Sequence, residues 1–77
     1  MSTQEFRTLD VRPVLKRGGE PFSVITAEVA LLKPEEGLIL ITPFLPSPLI
    51  EHLKSSGFEA RPQSQSDGSW QTIFRRT

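Results

Sequence analysis

Seven prolines punctuate this chain of 77 residues, and their positions limit every element it can form. Pro13 ends a first extended segment, Phe6–Val11, in which Leu9 and Val11 share one face and Phe6, Thr8 and Asp10 the other. Val14–Gly19 then reads as a loop punctuated by Gly18-Gly19. Pro21 suits the first turn of a helix, where a missing N–H costs nothing, and Glu20 beside it favours the positive end of the helix dipole. Phe22, Ile25, Val29 and Leu32 follow at helical spacing, and Lys33-Pro34 closes that helix. Pro43 and Pro46 stiffen a connection, Ser47 serves as an N-cap, and Pro48 fits the first turn of a second helix with Leu49, Ile50 and Leu53 on one stripe and Gly57 at its end. Pro62 cannot donate to a central ladder, so a third strand, Phe58–Gln65, belongs at a sheet edge.

Two further segments complete the set. Leu38–Thr42 is a short, mostly apolar run between a Gly turn and a proline, which favours a strand buried on both sides. Trp70–Arg75 alternates, with Trp70, Thr72 and Phe74 on a core face, and Asp67-Gly68 before it signals a two-residue type I′ hairpin turn. The order is βαβαββ. The first two strands flank a helix and should be parallel with a right-handed crossover, while the last two are antiparallel. Two helices cover one face of a four-stranded mixed sheet, which predicts a two-layer α/β (α+β) sandwich. Its length makes the chain a single domain, 1–77, with 1–4 as a frayed end.

Composition removes several chemistries. There is no cysteine, which excludes disulfides, thiolate catalysis and cysteine metal sites. One histidine cannot build a histidine metal cluster. Basic and acidic residues balance at nine each, so neither nucleic acid nor an anionic membrane is an expected partner. No apolar run approaches the ~20 residues of a membrane helix, and Met1–Arg12 has no signal-peptide core, so the expected location is the cytoplasm. No nucleophile–base pair is visible, and no cofactor is expected.

The ordered set Leu9-Asp10-Val11-Arg12, Glu20-Pro21, Leu32-Lys33-Pro34-Glu35-Glu36-Gly37, the prolines before Leu49, then Leu53, Gly57-Phe58 and Asp67-Gly68 with Trp70 resembles a bacterial family, domain of unknown function 2249. That family is related to the TusA/SirA-like sulfur carriers, and the resemblance spans about residues 8–76. It implies a TusA-like fold. The carriers have a Cys-Pro-Glu-Pro motif whose cysteine accepts persulfide sulfur. Here Glu20 and Pro21 match it, but Gly18 stands where the cysteine would be, and sulfur transfer is therefore not expected.

Two surfaces remain as candidates. Arg12, Lys16, Arg17, Gly18 and Gly19 precede the first helix, where backbone N–H groups and basic side chains could bind a small anion or other small ligand, with Phe44 walling the crevice beyond the strand ends. Val24, Ala27 and Leu31 form a second apolar stripe on the first helix, a candidate interface for an unknown protein partner or a homodimer. The sheet has a similar excess: Leu38 and Leu40 face opposite to Ile39 and Ile41, so one pair, joined by Phe6 and Ile73, points away from the helices. His52 reads as a helix-edge residue in water, and Glu35-Glu36 as a solvated turn. The leading expectation is a non-catalytic interaction or adaptor module; the second is an anion- or ligand-binding domain.

Overall fold

In the computed structural model, which describes residues 5–77, four strands form one mixed sheet. β1 (Glu5–Asp10) runs parallel to β2 (Glu36–Thr42), while β3 (Phe58–Ser64) and β4 (Trp70–Arg76) make the antiparallel hairpin. The order across the sheet is β1-β2-β4-β3, so β2 is central and β3, with Pro62, is an edge, as its proline predicts. The expectation for Met1–Gln4 lies outside the described residues.

Three helices connect the strands. α1 (Arg12–Lys16) is one turn long, and α2 (Pro21–Ala30) and α3 (Ser47–Ser55) are longer. The sequence reading has two helices and a loop over Val14–Gly19; α1 corrects it. Pro13 does end the first strand, one residue early at Asp10, but its fixed φ is also helical. The Leu15 N–H donates to the Val11 carbonyl at 3.0 Å and a single turn forms before Gly18 turns left-handed at φ +78°. Five residues are too few to show a helical period.

Leu38 and Leu40 of β2, Phe74 of β4 and Phe58 of β3 point to one face and are almost wholly buried against Ile25 of α2 and Leu49, Ile50 and Leu53 of α3. Both longer helices thus cover the same face. Ile39 and Ile41 are the pair that looks away from them, half-buried beside Phe6 and Ile73. Gly37 makes this packing possible. A Cβ there would lie 2.6 Å from a Phe6 ring carbon and 2.7 Å from the Phe74 carbonyl oxygen, so only glycine fits. The Phe6 ring lies across β2 at that point, with the Arg75 guanidinium 5.4 Å above it.

Three local expectations change. α3 starts one residue early, with buried Pro46 as its N-cap and Ser47 already helical. The hairpin is not a type I′ turn, because Asp67 does not adopt positive φ. Gly68 alone does, at +88°, and its N–H donates to the Gln65 carbonyl while the Gln65 N–H donates to Ser69. That is a three-residue loop with a glycine bulge, pinned by the Asp67 carboxylate on the Ser69 N–H and hydroxyl. Trp70 shares the face of Thr72 and Phe74 but lies half-buried at the strand end, outside the core cluster.

Thr72 is fully buried between Leu40 and Pro62 on the neighbouring strands, and its hydroxyl has no hydrogen-bond partner among the described residues. An unsatisfied buried hydroxyl costs about 1–3 kcal/mol. Thr72→Val keeps the shape and removes the penalty. It should stabilise the domain by about 1 kcal/mol, a rise of roughly 4–8 °C in melting temperature, measured by calorimetry.

Candidate functional site

β1 and β2 leave the sheet in the same direction, and a cleft opens in the crevice beyond their C-terminal ends. Val11, just past β1, and Thr42, the last residue of β2, form its floor. Pro21, Phe22 and Ile25 of α2 make one wall. Phe44 and Pro46 of the stiff connection and Pro48 and Leu49 of α3 make the other. The Thr42 hydroxyl donates to the Phe44 carbonyl, which fixes the connection and removes the lining's one side-chain hydroxyl from competition for a guest. The cleft holds about 150 Å³. A dry apolar cavity of that order accepts a benzene-sized guest.

Phe22 and Phe44 are the lips, 43% and 49% exposed. The His52 ring of α3, exposed at the helix edge, stands 5.3 Å from that of Phe22, tilted by 59°, and borders the rim. No titratable side chain lines the cleft. Among the described residues no three His, Cys, Asp or Glu converge on a point where a metal could sit. The arrangement can exclude water and select by shape; it offers no acid, base or nucleophile.

Of the six residues expected to form a ligand site, the cleft contains Phe44 alone. Arg12 turns to Asp10 with a forked pair of bonds, 2.8 Å from Nη2 to Oδ2, and reaches Asp67 of the hairpin at 3.6 Å. The Arg12 hydrogen bond holds the Asp10 carboxyl below its usual range, and Asp10 in turn raises Arg12. Lys16 and Arg17 are exposed at the end of α1, followed by Gly18 and Gly19. The Glu20 carboxylate caps α2, accepting from the Phe22 and Ser23 N–H groups at 2.5 and 2.9 Å. The amides that an incoming anion would use are therefore held by the chain's own carboxylate. The Ser23 N–H, more than any other cause, keeps the Glu20 carboxyl below its ordinary value.

Val24, Ala27 and Leu31 are exposed, Leu31 at 62%, on the side of α2 remote from Ile25 and hence from the cleft. Sequence reasoning missed Thr42, Pro21, Phe22, Pro46 and Pro48 as one site, although it placed each correctly near an element end. The available signal was the density of prolines and phenylalanines at the strand exits and helix starts. It is split among three stretches that only the parallel β1–β2 pairing brings together.

A model of the family described as an uncharacterized conserved protein (DUF2249) matches residues 8–76. No curated protein and no solved structure matches the chain.

Glu20, Asp10 and Asp67 all have lowered pKa values in the folded protein, so the unfolded chain binds more protons in acid. Their contribution is complete above the ordinary carboxylate values of 4.5 for Glu20 and 3.8 for Asp10 and Asp67, and is lost as pH falls through the lowered ones. Glu20→Gln should flatten the decline of stability between about pH 5 and pH 3, read from urea unfolding at stepped pH, while Asp10 and Asp67 preserve a residual slope.

Proposed function

We propose that this chain, which belongs to the DUF2249 family of uncharacterized conserved proteins, is a non-catalytic interaction module that seats an apolar side chain of a partner protein in the cleft between α2 and α3. The observation that carries this reading is the lining itself, made of apolar side chains with two exposed phenylalanines at the lip and no titratable group. Such a surface matches the apolar anchors of protein recognition better than the polar centres of enzymes.

The finer architecture belongs to the same proposal. A TusA-like sandwich is supported by the order of β1, α2, β2, α3, β3 and β4, with α1 as an added turn. On that reading Gly18 occupies the place of the carriers' sulfur-accepting cysteine, and without a thiolate the domain keeps the shape and not the transfer chemistry. The second reading, a small-anion domain at Lys16, Arg17, Gly18 and Gly19, is favoured by the exposed basic pair and opposed by the Glu20 cap.

An amide NMR titration separates them. An extended capped peptide with a central phenylalanine or leucine, long enough to cover the rim at Phe22, Phe44 and His52 as well, should shift Val11, Phe22, Thr42 and Leu49 together, and Phe44→Asp, which puts a charge at the lip, should reduce those shifts at least tenfold. Saturable shifts confined to Gly18, Gly19 and Phe22 with phosphate or sulfate, and none with the apolar peptides, would replace this reading with the second.

A further inference from the structure

The two edges of the sheet are built differently. Within a strand, alternate residues direct both backbone groups to opposite sides. The Gln65 N–H donates toward β4, so Gln63 and Arg61 face β4 while Pro62 faces outward. A proline in the outward row blocks a further strand, a known protection of edges. β1 has no such block. The Val11 N–H donates to Ile41 at 3.1 Å, so Leu9, Arg7 and Glu5 address β2, and the backbones of Phe6, Thr8 and Asp10 address the outside. Among the described residues no strand lies beyond β1, and the Thr8 side chain is exposed.

We infer that the β1 edge is the contact surface for a second copy of this chain, paired antiparallel about a two-fold axis through Thr8. The strand is self-complementary in that register. Thr8 meets Thr8, a favourable cross-strand pair, and Phe6 meets Asp10 of the second copy. Three facing pairs exchange about six backbone hydrogen bonds. Phe6, Thr8 and Asp10 lie on the open sheet face, with the Arg75 guanidinium over Phe6. A shift by one facing pair in either direction shortens the ladder. The axis is perpendicular to the sheet. The two open faces join, giving one eight-stranded sheet with both helix layers on its other side. This surface is distinct from the cleft and stands whether or not the cleft binds a partner.

Thr8 opposes itself only in this register, which makes the test a charge swap read by sedimentation velocity on the full chain. The wild type should move from one to two chains as concentration rises from micromolar to millimolar. Thr8→Lys and Thr8→Glu should each remain single chains at all those concentrations, with amide spectra that show the fold intact. Mixed in equal amounts, they should pair again. A wild type that stays single throughout overturns the inference. So does a Thr8→Lys protein that still pairs, or a mixture that does not. Thr8→Pro, which removes an outward N–H and no bond to β2, should also leave a folded single chain, and a paired Thr8→Pro protein would overturn the inference independently.

Discussion

Leu38 and Leu40 have no exposed surface, and that burial requires β2 to be flanked on both edges and covered on one face. Each such side chain contributes roughly 1.5–3 kcal/mol when removed from water. In a domain this small, a central strand with two of them dictates the positions of its neighbours. β1 and β4 supply the flanking ladders, and α2 and α3 supply the cover. Gly37 lets the Phe6 ring cross the strand just before Leu38, which begins to close the other face. The same strand determines where the cleft lies. Because β1 is parallel to β2, both release the chain at one end, and the segments that leave there form the floor and one wall.

Much of this was legible because proline and glycine act locally. Pro62 marks an edge strand from its own covalent structure, and Gly57, at φ +94°, ends α3 where a left-handed residue was expected. The alternation at Leu38–Ile41 carried the division of β2 into a buried and an open face. What failed was also local, but degenerate. Arg12-Pro13 stops a strand and starts a helical turn equally well, and the flanking residues do not decide between loop and turn. Asp67-Gly68 permits two hairpin geometries, and the Asp67 carboxylate on Ser69 favours the one with a single left-handed residue.

The candidate site was less legible, for a different reason. A run of basic residues beside a helix start has the composition of an anion site, but composition does not reveal which charges are already paired. Arg12 is engaged by Asp10, two residues away, and by Asp67, distant in sequence and brought near by the fold. Glu20 was recognised as favourable to the α2 dipole, and its carboxylate goes further by occupying two of the free amides itself. The apolar cleft left no chemical motif to find, since its lining differs from ordinary core only in being reachable from outside.

The size of the cleft bears on what it can hold. Burying one leucine or phenylalanine side chain stabilises by roughly 1.5–3 kcal/mol, whereas a millimolar complex already needs about 4 kcal/mol. A free apolar molecule filling about 150 Å³ therefore falls short by itself, and the lining has no charged group to add a strong hydrogen bond. The missing free energy has to come from contacts outside the cleft. Phe22 and Phe44 offer these at the rim, each with nearly half its surface exposed, and His52 extends the rim along α3. A small ligand seated in the cleft gains little from that surrounding surface, whereas a protein that inserts one side chain can cover it. The energetics thus favour an anchor residue on a folded or extended partner over a metabolite, and they place the selectivity in the shape of the proline-walled cleft and the reach of its two phenylalanines.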